Sequence, residues 1–225
     1  MATNWPSITY VAADALLVVD LIDRRQDPLL AAEAELADNG TSARLRELMA
    51  GRSTARSALR LFGAEPVPIL QTVDGAPVWP YGFCGSLSHS HQYIAVLLAR
   101  SSSIESVGID IEDGRPLGEA ALATVVTARE LRVIDCVGWA IPGSTAEGIA
   151  FSVKEAVFKC QFPVTLDASL DFLDISLELG IIPGSLRMRA VDRNRSTLTE
   201  LENRIHIHVL SAFGVIVVYS LLDRK

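Results

Sequence analysis

The chain has 225 residues, 49% of them hydrophobic and 21% charged, which is enough material for a sizeable core in one large domain or two small ones. Its net charge of −7 excludes a general nucleic-acid binder, although an acidic whole can still carry a local basic groove for a phosphate ligand. Three scattered cysteines (Cys84, Cys136 and Cys160) with no C-x-x-C pair exclude a disulfide framework and a structural zinc site. No apolar run is long enough for a transmembrane helix. The N-terminal stretch, interrupted by Asp14 and Asp20, does not read as a leader. The expected compartment is the cytoplasm.

Ile8 to Val19 reads as strand material with a turn at Asp14-Ala15, and Asp27 to Ala37 as a short helix opened by Pro28. ARLRELMAGRSTARSALRLFG is the clearest helix. Leu45, Leu48, Met49, Ala55, Leu59 and Phe62 recur at helical steps, Gly51 is a blemish and Gly63 a stop. Pro66 to Pro80 is loop and strand, and Gly85 to Arg100 ends in the strand-like YIAVLLA. The polar run RSSSIES marks a junction, dividing the chain into halves at 1–103 and 104–225. VGIDIE follows as a strand. Thr127 to Val137 is helical and is broken by AIPGS. Glu147 to Phe162 is helical and is ended by Pro163. Leu170 to Glu178 and Ser185 to Val191 are strands, and the tail is two strands joined around Ala212-Phe213-Gly214. We see no sequence repeat. Helices and strands mixed without regular alternation predict an α+β fold with small mixed or antiparallel sheets.

Along VGIDIE, Val107, Ile109 and Ile111 share one face while Asp110 and Glu112 share the other. Two like charges on one face call for something positive nearby. In FSVKEAVFK, Ser152-x-x-Glu155 matches a capping box, and Glu155 with Lys159 makes a favourable surface pair. The functional alternative makes Glu155 a third carboxylate with Asp110 and Glu112. The three would hold a hard divalent cation such as magnesium, with Lys154 and Lys159 meeting an anionic ligand. Arg52, Arg56 and Arg60 form a row at four-residue steps with Arg44 two turns earlier. The row is either a solvated basic face or a phosphate clamp. In GSLSHSHQY, Ser88 and His89 suit phosphate contacts. A Ser-His nucleophile pair would need an orienting acid that the sequence does not announce, and a plain strand edge is the third reading. His206 and His208 share a strand face without a third ligand nearby, and we read them as a solvent face rather than a metal site.

The order GR-x-x-AR, WP-x-G, GSLSHS, VGIDIE and FSVKEAVFK resembles the 4'-phosphopantetheinyl transferases, most closely their surfactin- and enterobactin-type branch. The resemblance runs from Arg44 to about Phe172. It implies two α/β halves related by a pseudo-twofold, with the active site in the cleft between them. It also implies transfer of the phosphopantetheine arm of coenzyme A to a serine of an apo acyl or peptidyl carrier protein, with release of 3',5'-ADP. Asp110, Glu112 and Glu155 become magnesium ligands, Glu155 also the general base, and Lys159 stabilises charge on the pyrophosphate. Arg44, Arg52, Ser88 and His89 hold the nucleotide end, with Arg56 a weaker candidate. The loop QTVDGAPVWP lacks the basic residue that relatives often place there, so its contacts fall to backbone groups or Gln71. A chain of this charge must dock an acidic carrier through a local patch, for which Phe162 to Phe172 is the candidate. Polyketide, nonribosomal-peptide, fatty-acid and siderophore carriers are all compatible. A monomer is expected, with no membrane or nucleic-acid partner. Two other readings use the same residues: a magnesium-dependent hydrolase of nucleotide pyrophosphates, and a non-catalytic relative that only binds carriers or coenzyme A.

Overall fold

A computed structural model describes residues 6–25, 27–37, 41–112, 118–137, 144–167, 169–182, 185–192, 196–212 and 215–224. Backbone contacts divide the chain into two units, Met1–Ile104 and Glu105–Lys225. The architecture is mixed α+β with small antiparallel sheets.

In the first unit, β1 (Ser7–Ala12) and β2 (Ala15–Leu21) form a hairpin. A 3-10 turn at Ala31–Ala37 stands where a helix opened by Pro28 was expected. Helix α1 (Ser42–Leu61) is capped by Thr41, whose side chain accepts the Arg44 amide, and the chain leaves it through Gly63 at φ +75°. A small hairpin of β3 (Leu70–Gln71) and β4 (Pro77–Val78) precedes β5 (Phe83–His89) and β6 (Tyr93–Arg100). The main sheet runs β1-β2-β6-β5, antiparallel throughout. Ala55, Ala58 and Leu59 of α1 pack on Leu16, Val18, Val96 and Leu98 of the sheet. Leu45, assigned to the apolar face, is instead exposed, whereas Gly51 is buried. A side chain at Gly51 would reach Leu87 and Ile94, so the residue sits at a close helix–sheet contact.

The second unit opens with β7 (Ile104–Glu112), followed by the short helix α2 (Glu119–Val125), which the periodicity did not show, and α3 (Ala128–Val137). Helix α4 (Ala146–Thr165) is its long element. A 3-10 turn at Phe172–Asp174 leads into a hairpin of β8 (Ile175–Leu179) and β9 (Leu186–Ala190). The short helix α5 (Ser196–Leu201), also unread, is followed by β10 (Ile205–Ala212) and β11 (Val215–Asp223). The sheet order is β10-β11-β7. Ile149, Val153, Ala156, Val157 and Cys160 of α4 share a core with Leu177, Met188, Ile207, Ile216 and Val218. Residues 113–116 and 213–214 and most of AIPGS lie outside the described residues.

Pro163 does not end α4. The helix runs on to Thr165 and closes on Leu166, whose φ of +54° lies in the left-handed region and whose amide donates to the Phe162 carbonyl at 2.8 Å. A proline so near the C-terminus removes one intrahelical bond, and the last turn survives it. No helix among the described residues is long and apolar enough to cross a membrane.

Candidate active site

Gly108 sets the geometry of the second unit's site. A Cβ placed there would fall 1.8 Å from the Ala156 carbonyl oxygen and 2.7 Å from the Cys160 amide nitrogen. The backbone of α4 therefore passes directly over this position of β7, and no residue larger than glycine fits. From that contact, successive same-face residues of β7 meet α4 progressively nearer its start. Asp110 lies against Ser152 and Lys159, and the Glu112 side chain lies beside Gly148.

Asp110 is nearly buried. Its Oδ2 accepts from Ser152 Oγ at 2.8 Å and its Oδ1 from Lys159 Nζ at 2.8 Å. The same ammonium donates to the Ile109 carbonyl at 3.1 Å and lies 3.6 Å from Glu155 Oε2. Lys159 thus gives Asp110 a cationic partner and draws Asp110 and Glu155 to one point. Burial raises the Glu155 carboxyl above the usual glutamate range. Asp110 adds to the rise and Lys159 opposes it. Among the described residues no three acidic, histidine or cysteine side chains converge closely enough to form a metal cluster.

Two expectations for this helix need correction. Ser152 caps nothing: Thr145 is the N-cap, accepting the Gly148 amide at 3.1 Å, and Ser152, a turn and a half into the helix, is spent on Asp110. Lys154 does not face a ligand. It is fully buried, 2.7 Å from Glu130 Oε1, and donates to the carbonyls of Val125 and Phe172. Glu130 also accepts from the amide and hydroxyl of Thr127 and from the Leu177 amide. The pair ties α3, α4 and β8 together. Burial lowers the Lys154 proton affinity, and Glu130 restores part of it.

The arginine row on α1 splits into three fates. Arg56 is buried, 2.6 Å from the fully buried Glu33, and donates to the Pro28 carbonyl. Glu33 also accepts the amides of Leu30 and Ile69. Arg56 is therefore a structural strut rather than a ligand contact. Arg52 is equally buried, yet its Nε and Nη2 have no hydrogen-bond partner. Burial lowers its proton affinity. Glu33 opposes this, while Arg44 and Arg56 add to it. Arg44 is exposed, with Nη1 3.5 Å from Glu47 Oε2.

Ser88 and His89 are adjacent on β5, one buried and one exposed, so they point to opposite faces and form no nucleophile pair. His89 Nε2 lies 3.5 Å from Glu47 Oε2. Gln71 is half-buried at the foot of the β3–β4 hairpin. In the turn beyond it the amides of Thr72, Gly75 and Ala76 all bond within the loop. On the solvent-face histidines, His206 lies 3.0 Å from Asp223, and His208 stacks on Tyr219, where burial lowers its basicity. Sequence reasoning missed Gly108, Ser152 in its true role, Glu130, Glu33 and Glu47. Of these, Gly108 had a signal: a glycine in the middle of an otherwise apolar strand marks a close backbone approach.

Two family models match the chain. The N-terminal domain of 4'-phosphopantetheinyl transferases covers residues 32–99, and the 4'-phosphopantetheinyl transferase superfamily covers residues 106–201. A 4'-phosphopantetheinyl transferase of Streptomyces mobaraensis is 33% identical over 170 residues, which is 74% of this chain and 69% of the relative. One from Mycobacterium tuberculosis is 34% identical over 134 residues, 59% of this chain and 58% of the relative. Component D of the enterobactin synthase of Salmonella typhi is 30% identical over 118 residues, 52% of this chain and 47% of the relative. With matches of this extent over both units, the chain belongs to the 4'-phosphopantetheinyl transferases.

Proposed function

We propose that the protein transfers the 4'-phosphopantetheine arm of coenzyme A to a serine of an apo-carrier protein, releasing 3',5'-ADP. The observation that carries this reading is the single Lys159 ammonium shared by Asp110 and Glu155, on a helix pressed onto Gly108. Phosphoryl transfer asks a protein chiefly for positioning and charge neutralisation.

Glu155 is the base. A carboxylate whose proton affinity is raised by burial accepts a proton more readily than an ordinary one. It takes the proton from the carrier serine hydroxyl. The serine oxygen then bonds to the phosphorus that bears the pantetheine arm. The bond from that phosphorus to the oxygen of the adenylate phosphate breaks, and the electron pair leaves with 3',5'-ADP. Lys159 stabilises the charge gathering on the diphosphate oxygens. Ser152 fixes the Asp110 carboxylate. Arg52, Arg44, Ser88 and His89 hold the nucleotide end, and the orphaned N–H groups of Arg52 support that role. Gln71 serves from the β3–β4 hairpin, because the turn's own amides at 72, 75 and 76 are occupied.

By chemical type, though not by the spacing described above, three of these carboxylates suit magnesium. Asp110, Glu155 and Glu112 offer hard carboxylate oxygens of the kind that magnesium takes. These three would hold the ion, which when bound supplies charge stabilisation to the diphosphate. Leu166, strongly exposed after α4, supports the stretch Phe162 to Phe172 as part of the carrier-docking patch. We place the reaction in the cytoplasm, on polyketide, nonribosomal-peptide or siderophore carriers, with the chain as a monomer.

The test is a mass gain of one phosphopantetheine on an apo-carrier protein, dependent on coenzyme A and magnesium. Release of 3',5'-ADP at the same rate without any carrier would replace the transferase reading with the hydrolase one.

A further inference from the structure

Glu47 belongs to none of the roles assigned above. It lies on α1 one turn beyond Arg44, and a single oxygen, Oε2, is 3.5 Å from Arg44 Nη1 and 3.5 Å from His89 Nε2. Arg44 belongs to the first turn of α1, and His89 is the last residue of β5. One carboxylate oxygen thus joins two potential phosphate donors from two elements. Both donors are substantially exposed, at 58% and 39% of the side chain, while Glu47 is 27% exposed.

Exposed pairs of this kind add little to stability. They can matter for placement. A free arginine side chain samples many rotamers, and ordering it on binding weakens affinity. Arg44 and a charged His89 would also repel each other without an acid between them. Arg44 is close enough to Arg52 for its charge to lower Arg52's proton affinity, so the three donors share one neighbourhood. With Nε2 turned to Glu47, Nδ1 is the His89 nitrogen that remains for a ligand.

The geometry points to Glu47 as a positioning residue: it holds Arg44 and the His89 ring for a phosphate group of the nucleotide without touching that phosphate. This rests on the reading of Arg44, Arg52 and His89 as the nucleotide-holding groups.

Titration calorimetry of the full chain with coenzyme A tests it, using wild type, Glu47→Gln, Arg44→Ala, His89→Ala and each double variant with Glu47→Gln. Glu47→Gln weakens coenzyme A binding roughly two- to tenfold, the cost of ordering one or two side chains. It leaves the melting temperature unchanged. The loss shrinks when Arg44 or His89 is already absent, because Glu47 acts through them. Unaltered affinity in Glu47→Gln, a loss that adds fully to both partner substitutions, or a loss accompanied by a lower melting temperature would each overturn the proposal. A wild type that binds no coenzyme A would overturn the function itself, and that result is read from the wild-type titration alone.

Discussion

At the residue scale, Glu155 and Gly108 carry separable duties. Glu155→Gln removes the proposed base and leaves the helix contacts in place, so kcat is expected to fall by roughly 10²–10⁴ in the carrier-modification assay while the melting temperature holds. The pH dependence follows from burial. Without a bound cation, the Glu155 carboxyl binds its proton more tightly than a free glutamate, because burial disfavours its charged form. For stability the sign is the opposite of a salt-bridged acid. The folded state holds this proton better than the unfolded state, so the group's contribution declines as pH rises from the ordinary glutamate value to the raised one. Gly108→Ala is a backbone clash with no flexible atom to yield. It costs on the order of 1–3 kcal/mol, or more if α4 cannot shift. Thermal unfolding measures it, and activity falls with it because Asp110 and Lys159 lose register.

At the element scale, each unit has a buried glutamate that fastens its long helix. Glu33 accepts the amide three residues before it, a strand-region amide at Ile69, and Arg56 of α1. Glu130 accepts the amide three residues before it, a strand amide at Leu177, and Lys154 of α4. The same wiring recurs in both units although no repeat is visible in the letters. Lys154→Met leaves Glu130 buried without its cation. Breaking such a pair costs about 3–5 kcal/mol. That lowers the melting temperature by on the order of 10 °C in a chain of this size. The KM for coenzyme A stays put, whereas a ligand-binding lysine would raise it. The strands, the two long helices and the nearness of Asp110 to Glu155 and Lys159 were legible because each rests on local periodicity or on a motif with fixed spacing. Lys154 and Arg56 were misread because a charged residue on a helix looks the same in sequence whether its face meets water or a buried acid. Their acids, Glu130 and Glu33, lie 24 and 23 residues upstream. Helices α2 and α5 were missed because seven- and six-residue helices are too short for a period to show. Pro163 was taken as a stop, but near a C-terminus the lost bond is one the helix can spare.

At the scale of the whole molecule, the net charge of −7 bears on encounter. An acidic carrier is repelled at long range, and salt screens that repulsion within about 10 Å at 0.1 M. At saturating coenzyme A, kcat/KM for an acidic carrier therefore rises as ionic strength increases from low values, opposite to the behaviour of an electrostatically steered pair. A rate that falls with salt would mean that a basic patch dominates the approach. The rotational setting of α4 has a further consequence for how this chain can vary. Lys154 and Glu155 are consecutive, yet one is locked in the interior and the other joins Lys159 at the cluster. A helix advances about 100° per residue. One extra residue between Gly148 and Lys154 would swing the ammonium into the place of Glu155, and one missing residue would bury the carboxylate where the ammonium stood. Length changes in homologous chains, and splice points chosen by an engineer, are thereby confined to the connections on either side of this helix.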